Sequence, residues 1–430
     1  MRSLARPTIA TAVVALTLAG TAAVAGTPSG QPATVPPPAA PTAPAPENMG
    51  SDTLRVYVMT MSPGDHPFFR FGHNAILIRD FARETANVYN FGTFSFDSPR
   101  MIFDFLGGRL TYWLSVSSLP GVMRTYQREN RSITMQELRL PQAKKQALQA
   151  ALDDNARPDK RAYKYDYFLD NCSTRVRDAV DRVAGGRLQA SARVPGRQTL
   201  REHALRMTAQ PFWLYLALDV VLGPSADRPI DRWAEMFLPM ELASGLAAIK
   251  EPDWLVEDPE LLLGADRPEP LASPPSRGVA FLLAGLGFGV VFALLGWAAR
   301  RNRAARIGLG ALVSLWGLAV GFVGCFLVYA WVGTDHVVAH RNQNILLCAP
   351  WAIVLVGLGI GVAIGRDGAK RKAYKLAAAA LAAVAAALLL KVGVVPRQAN
   401  GALIAFFLPA WLGLAAALRY VVRASAESRP

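Results

Sequence analysis

The sequence predicts an exported α+β domain followed by an all-α bundle of five transmembrane helices. Three features of the 430-residue chain predict it: a signal-like N-terminus, strand and helix patterns in the middle, and five long apolar segments near the C-terminus. The formal net charge of +14 would also suit a nucleic-acid-binding protein, but the apolar segments favour a membrane protein. The chain has only three cysteines, which excludes a disulfide scaffold.

The N-terminus has the layout of a secretory signal. Residues 1–25 contain two early arginines, an uncharged run and a final small-x-small triplet, Ala23 to Ala25. An uncleaved anchor helix is the alternative interpretation of these residues, and under both interpretations the middle part of the chain is exported. Residues 26–50 are rich in Pro and Ala, a composition typical of an extended linker.

Residues 276–430 are predicted to form the transmembrane domain, because five segments are long and apolar enough to span a bilayer as helices. They are Gly278–Ala299, Ile307–Gly333, Ile345–Gly365, Leu376–Val395 and Gln398–Leu418. Arginine and lysine are concentrated in the first and third connections and in the C-terminal tail. The positive-inside rule assigns these segments to the cytoplasm. The second and fourth connections then face outward, on the same side as residues 51–275.

Residues 51–275 are predicted to form the exported α+β domain. Three segments alternate as β-strands do and indicate an antiparallel sheet. These strands begin at Leu54, at His73 and at Ala86. Helical patterns begin at Pro141 and Thr199, and a third pattern spans Asp231–Ile249, so the class is α+β.

Cys172 lies at the predicted N-terminus of a helix and is the candidate nucleophile. Asp170 or Asn171 can cap this helix, and Gly185 ends it. The helix dipole and the free N–H groups of the first turn favour a thiolate over a thiol. A small cysteine packed on a helix face is the alternative interpretation. Cys172 is the only cysteine of the exported domain, so it cannot form a disulfide there.

A thiol nucleophile needs a base, and the exported domain contains three histidines. His73 is the best placed, because it follows a glycine and begins a strand. His66 is typical of a turn, and His203 is typical of a solvated helix face. A third group would orient the imidazole; Asn90 is the candidate for this role and Tyr89 is the alternative.

Several ordered motifs resemble bacterial proteins that carry the Lnb N-terminal periplasmic domain. The motifs are FGHNAILI, YNFGTFSFDSP, YWLSV, YKYDYFLDNCSTRVRD, LGPSADRP and EMFLP, between about Leu54 and Ile249. The named member of this family is a lipoprotein N-acyltransferase. The family is more distantly similar to NlpC-type and lecithin:retinol-acyltransferase-type enzymes.

The resemblance implies a papain-like core in a permuted order, with the His-bearing strand before the Cys-bearing helix. It implies that Cys172 is the nucleophile and His73 the base. In the family member, an acyl chain moves from the diacylglyceryl group of a lipoprotein to the amino group of the same N-terminal cysteine. The resemblance does not define the substrate of this chain.

The connection between the second and third spans, TDHVVAHRNQNILL, is similar to a His- and Asn-bearing loop of multi-span family members. His336 and His340 are candidate substrate-binding residues together with Tyr165 and Tyr167, and a structural role for the two histidines is the alternative. Two histidines and Asp335 are too few ligands to indicate a metal site, so no metal is predicted. No nucleotide-binding motif is recognised, and no cofactor is predicted.

The predicted function is a membrane-bound thiol acyltransferase that acts on a lipid or lipoprotein acyl ester through a Cys172 thioester. Its expected location is the outer face of the bacterial cytoplasmic membrane, with the lipid bilayer and the acyl substrate as partners and no nucleic acid. A cell-wall cysteine peptidase or amidase explains the cysteine and histidine equally well, but it does not require five spans. A membrane sensor or scaffold with a packed Cys172 is the non-enzymatic alternative. The sequence leaves the oligomeric state open.

Overall fold

The computed structural model describes residues 53–95, 99–249, 256, 258–392 and 397–427. The predicted signal at 1–25 and the predicted linker at 26–50 lie outside these residues. The described part contains an antiparallel sheet with helices packed on it, followed by a helical region with five long apolar helices. This confirms the predicted mixed α and β N-terminal part and the predicted C-terminal helical region.

A seven-stranded antiparallel sheet forms the centre of the exported domain. Its strands are β1 (Leu54–Met61), β2 (His73–Asp80), β3 (Thr85–Thr93), β4 (Thr111–Ser118), β5 (Ile133–Glu137), β6 (Ala162–Lys164) and β7 (Glu260–Leu263). Their order across the sheet is β6-β4-β3-β2-β1-β5-β7. The first three strands agree with the prediction from hydrophobic alternation, whereas the other four were not predicted.

Nine helices of the described part belong to the exported domain. They are α1 (Met101–Leu106), α2 (Leu119–Arg128), α3 (Gln142–Asn155), α4 (Cys172–Ala184), α5 (Arg187–Ala192), α6 (Leu200–Met207), α7 (Phe212–Val221), α8 (Arg232–Glu235) and α9 (Pro239–Ala247). The single helix predicted over Asp231–Ile249 is wrong, because the chain forms α8 and α9 instead. Pro239 lacks an N–H and therefore begins a new helix rather than continuing the first one.

The two faces of the sheet bury different helices, because successive side chains of a strand point to opposite faces. Val58 and Ile76 face α4 and pack in one core cluster with Val176 and Val180. The alternate residues of the same strands, among them Met59, pack in a second cluster with α2. Val176 and Val180 are fully buried, and each contributes about 1.5–3 kcal/mol by leaving water. This packing fixes α4 against the centre of the sheet.

Five helical segments are long and apolar enough to cross a membrane, and each overlaps one predicted span. They are Gly278–Ala298 (α10), Arg303–Val332 (α11), Gln343–Ala363, which includes α12 (Leu355–Ala363), Asp367–Leu389 (α13) and Gly401–Ala426, which lies in α14 (Gly401–Glu427). Small residues allow close packing between them. A Cβ atom on Gly285 would lie 2.3 Å from the Phe406 carbonyl oxygen, so α10 and α14 contact each other through their backbones.

The membrane-spanning part caps a helix of the exported domain. The last carbonyls of a helix have no partner within the helix. Asn342 and Asn344 donate their side-chain amides to the Val220 carbonyl near the end of α7, at 2.8 and 2.9 Å. Gln398 donates to the Leu222 carbonyl at 3.0 Å. Asn342 and Asn344 belong to the second connection and Gln398 lies just before α14. Both segments therefore lie on the same side of the apolar helices as the sheet, as predicted.

We expect Asn344→Leu to weaken this attachment. Asn344 is fully buried, and its side-chain oxygen also accepts a hydrogen bond from Asn400 at 2.7 Å. Leucine would remove one of the two amide donors to the Val220 carbonyl and leave the buried Asn400 amide without this acceptor, at a cost of about 1–3 kcal/mol for the unsatisfied amide. The midpoint of thermal unfolding of the protein in lipid nanodiscs should fall. Val337→Ala, an exposed position in the same connection, should change it little, and equal midpoints for the two variants would contradict the assignment.

Candidate functional site

Asn171 holds the N-terminus of α4 and so positions Cys172, its first residue. The Asn171 side-chain oxygen accepts hydrogen bonds from the Ser173 and Thr174 N–H groups at 2.8 and 2.9 Å. The Thr174 hydroxyl accepts one from the Asn171 N–H at 2.7 Å, which completes a capping box. Of the two predicted capping residues the structure therefore selects Asn171. Gly185, in the left-handed conformation with a φ of 74°, ends the helix as predicted.

Two glycines allow the strands to approach the candidate site closely. Gly72, just before His73, has a φ of 81°, and a Cβ atom there would lie 2.8 Å from the Met61 carbonyl oxygen. Gly92, in β3, has a φ of 87°, and its Cβ would lie 3.5 Å from the Cys172 Cβ. A side chain at either position would be strained in this backbone conformation. The ends of β2 and β3 can therefore lie directly beside the start of α4.

The structure brings His73 and Cys172 together. Cys172 is 7% exposed, and burial alone would raise the pKa of its thiol. The charge of His73 and a hydrogen bond with it lower this pKa, with smaller contributions from the Asn74 backbone N–H and the Tyr165 hydroxyl, so that the pKa lies below its ordinary value. A cysteine with a lowered pKa beside a histidine is the arrangement that nucleophilic thiol chemistry requires.

Tyrosines form one wall of the site. The Tyr165 hydroxyl lies 3.9 Å from the Cys172 Sγ, and the Tyr165 ring stacks on Tyr112 with centroids 4.1 Å apart. The Tyr112 and Tyr167 hydroxyls are hydrogen-bonded at 3.2 Å. Burial, followed by the charge of Cys172, raises the pKa of Tyr165 well above its ordinary value. Tyr165 is therefore protonated at neutral pH and can donate a hydrogen bond to an anion.

Of the two predicted loop histidines, the structure brings only His336 to this wall. Its ring centroid lies 6.5 Å from that of Tyr167, and its Nε2 donates to the Phe105 carbonyl at 3.0 Å. The neighbouring Asp335 N–H donates to the Gly107 carbonyl at 2.9 Å. The His340 ring instead donates to the carbonyl of Thr334 in its own connection, at 3.1 Å.

Among the described residues, the predicted orienting group, Asn90, makes no hydrogen bond to His73. The Asn90 amide donates to the Val88 carbonyl of its own strand at 3.1 Å. The hydroxyl of the alternative, Tyr89, bonds to Asp153 at 2.5 Å. No hydrogen bond of the described residues joins Asn90 or Tyr89 to His73, and the role of Asn90 stays a prediction.

The two other histidines of the exported domain have structural positions. His203 is buried and lies 3.0 Å from a Glu235 carboxylate oxygen, while Arg206 donates to its other ring nitrogen at 3.1 Å. The expected solvated helix face is therefore wrong for His203. His66 caps a short turn by accepting the Phe68 N–H at 3.4 Å, as predicted. Among the described residues, no three His, Cys, Asp or Glu side chains come together as metal ligands would.

Loss of the Tyr165 hydroxyl should raise the pKa of Cys172. Because this pKa lies below its ordinary value, the thiolate persists to lower pH than in a free cysteine and is lost only as the pH falls through the lowered value. We expect Tyr165→Phe to move the midpoint of thiol alkylation upward by up to about one pH unit. The measurement is the iodoacetamide rate against pH, with Cys325 and Cys348 replaced by serine. Tyr167→Phe is the matched control, and an equal shift in both variants would contradict a direct contact with Cys172.

Comparison with known protein families finds a match to part of this chain. Residues 43–206 match the sequence model of the Lnb N-terminal periplasmic domain, a range that contains both His73 and Cys172. Searches of the curated proteins and of the solved structures found no match. Together with the five apolar helices, the match indicates a multi-pass membrane protein with a periplasmic domain. The match over residues 43–206 is thus to the family that the sequence motifs predicted.

Proposed function

We propose that this protein is a membrane-bound cysteine acyltransferase that moves an acyl chain from a lipid ester to an amine or hydroxyl acceptor. The observation that carries the proposal is the pair formed by Cys172 and His73, in which the pKa of the buried thiol is lowered at a helix N-terminus. A thiolate attacks an ester carbonyl readily.

In the first half of the reaction, His73 takes the proton of the Cys172 thiol and the sulfur attacks the carbonyl carbon of the ester. The carbonyl oxygen becomes an anion, and the C–O bond to the glycerol breaks when this intermediate collapses. The leaving alkoxide takes the proton from His73. The products are an acyl thioester on Cys172 and a lipid with one free hydroxyl group.

In the second half, the acceptor attacks the thioester carbonyl and gives its proton to His73. The C–S bond breaks, and the Cys172 thiolate leaves and regains a proton from the imidazolium. The net reaction exchanges one ester for an amide, or for another ester, and needs neither an oxidant nor a cofactor. The same two residues serve both halves, because each half needs one proton removed and one returned.

Hydrogen-bond donors near Cys172 support the anionic intermediate of both halves. The Cys172 N–H belongs to the first turn of α4, and no hydrogen bond of the described residues uses it. The protonated Tyr165 hydroxyl lies 3.9 Å from the sulfur. Donors that are already oriented toward a developing oxyanion lower the barrier of acyl transfer.

The attachment of the domain to the membrane favours a lipid substrate over a cell-wall peptide. The end of α7 is bound by Asn342, Asn344 and Gln398 of the membrane-spanning part, so the domain cannot reach far from the bilayer. Within the proposal, the protein lies in the bacterial cytoplasmic membrane. The order of β2 before α4 supports a papain-like core in a permuted arrangement.

An acyl-transfer assay tests the function. The full chain in vesicles is incubated with a phospholipid carrying a labelled acyl chain, with and without a synthetic lipopeptide that has a free N-terminal amine. We expect the unsubstituted protein to label the lipopeptide when both substrates are present, and the Cys172→Ala variant to leave it unlabelled. Cleavage of cell-wall peptides without acyl transfer would instead support a cysteine peptidase. If neither activity is detected and Cys172 is inert to alkylation, the result would support a non-enzymatic scaffold.

A further inference from the structure

The short helix α1 has an apolar side with no partner in the described part of the protein. Phe103 is 57% exposed and Ile102 is 37% exposed. The two side chains are adjacent on one helix, and water solvates both poorly. Exposed apolar residues that are grouped in this way commonly mark a membrane or partner surface.

The position of α1 relative to the membrane-spanning helices identifies the occupant of this side. Arg109, just after α1, donates to the carbonyl of Gly333, which caps the C-terminus of α11, at 3.2 Å. The last two turns of α11 expose Tyr329 and Trp331, as helices do where they leave the hydrocarbon region. Asp335 and His336, in the connection that follows α11, donate hydrogen bonds to the Gly107 and Phe105 carbonyls. These bonds hold α1 beside the outer end of α11.

The position of a second helix, α7, supports the same depth for α1 in the membrane. Phe212 and Trp213, at the start of α7, are 44% and 50% exposed. The Phe212 ring contacts Phe281 near the outer end of α10, with centroids 6.2 Å apart. The Arg277 guanidinium lies 5.0 Å from the Phe212 ring centroid. Aromatic rings with a cation at this position are typical of the lipid headgroup region.

The other side of α1 leads to Cys172. The Phe105 ring lies 5.8 Å from Tyr167 and 4.8 Å from Phe68, centroid to centroid. Tyr167 in turn contacts Tyr165 at 5.3 Å, and the Tyr165 hydroxyl is next to the Cys172 sulfur. A continuous series of aromatic side chains thus connects the exposed side of α1 to the thiol.

We propose that α1 is an interfacial helix: Ile102 and Phe103 insert into the outer leaflet of the membrane that the protein spans, and an acyl chain reaches Cys172 from that leaflet along Phe105 and Tyr167. The route to Cys172 rests on the proposed function, whereas the depth of α1 does not. The bilayer is the occupant because Arg109 contacts Gly333 and Asp335 and so holds α1 beside the outer end of α11, the end that exposes Tyr329 and Trp331.

Collision accessibility of a nitroxide label tests the depth. The full chain, with its three native cysteines replaced by serine, carries Phe103→Cys or Ile102→Cys and is reconstituted in phosphatidylglycerol-containing vesicles. The control is Phe81→Cys, because Phe81 is 45% exposed but lies at the turn after β2, at the opposite end of that strand from His73. We expect oxygen to relax the label at 103 more than a water-soluble nickel chelate does, at a depth of about 5–10 Å. Equal nickel accessibility at 103 and 81, with the 102 label in agreement, would overturn the proposal.

A second comparison tests the route in protein with native cysteines. We expect Phe103→Asp to lower the rate of Cys172 acylation from phospholipid vesicles by about tenfold, the effect of one phenylalanine side chain leaving the lipid. Acylation by water-soluble p-nitrophenyl butyrate should be unchanged. An equal loss with both donors would overturn the route. If the unsubstituted protein reacts with neither donor, the proposed function and the route both fail, while the label still decides the depth of α1.

Discussion

Replacement of Cys172 by alanine is expected to abolish acyl transfer by the full-length protein in vesicles. Alanine has no group that can form the covalent intermediate, and removal of a catalytic nucleophile commonly costs on the order of 10⁴-fold or more in rate. The measurement is the initial rate of label transfer from phospholipid to lipopeptide. The change leaves the fold intact, because the helix is held by Asn171 and Thr174 rather than by the thiol.

Cys325→Ser is the matched control for this substitution. Cys325 is an exposed cysteine of α11, and its thiol lies 3.8 Å from the Pro350 carbonyl oxygen. We expect its loss to leave the transfer rate within about a factor of two of the unsubstituted protein, as for surface substitutions in general. Transfer that survives Cys172→Ala but not Cys325→Ser would refute the assignment of the nucleophile.

Replacement of His73 by alanine is expected to lower the acylation rate by about 10²–10⁴-fold, the usual contribution of a general base. It also removes the charge and the hydrogen bond that lower the pKa of Cys172. Burial would then dominate, so the pKa of Cys172 should rise above its ordinary value. The midpoint of the iodoacetamide rate should therefore move to higher pH than in the unsubstituted protein.

His73→Gln and added imidazole separate a base from a purely structural residue. Glutamine retains much of the size and polarity of histidine, but it cannot take up a proton at neutral pH. If His73 is the base, His73→Gln should be as inactive as His73→Ala, and imidazole should restore part of the activity of the alanine variant. Full activity of His73→Gln would mean that His73 only fills space beside Cys172.

Local sequence patterns were sufficient to predict the elements whose structure depends on a single segment of the chain. The five spans follow from apolar length alone, and β1 and β2 begin at the predicted Leu54 and His73. The helix that begins at Cys172 was predicted because a cap, an apolar periodicity and a terminal glycine all occur within one short segment. The same local features place the candidate nucleophile at a helix N-terminus.

Features that depend on distant parts of the chain were not predictable in the same way. The short strand β6 pairs with β4, and β7 pairs with β5, although neither has enough residues for a clear alternation. The Asp231–Ile249 pattern is largely apolar, which concealed the break at Pro239. His203 was expected in solvent, but Glu235 and Arg206 bury it, and no local pattern indicates such partners.

The residues of the candidate site also divide into those that the local sequence predicts and those that depend on distant parts of the chain. Cys172 and His73 could be selected because few residues of their chemistry occur in the exported domain. Tyr112 was missed: it lies in the YWLSV motif, but only the pairing of β4 with β6 brings it to Tyr165. His336 reaches the site because its connection contacts the carbonyl of Phe105, an approach between distant parts of the chain that sequence spacing does not reveal.

Intact mass spectrometry of the purified protein after incubation with phospholipid vesicles tests the central claim most directly. We predict a mass increase equal to one acyl chain on the unsubstituted protein, absent in Cys172→Ala and removed by neutral hydroxylamine, which cleaves thioesters. This result would establish a covalent acyl intermediate on Cys172. An unmodified mass in the absence of acceptor, with Cys172 still reactive toward iodoacetamide, would contradict acyl transfer through this cysteine.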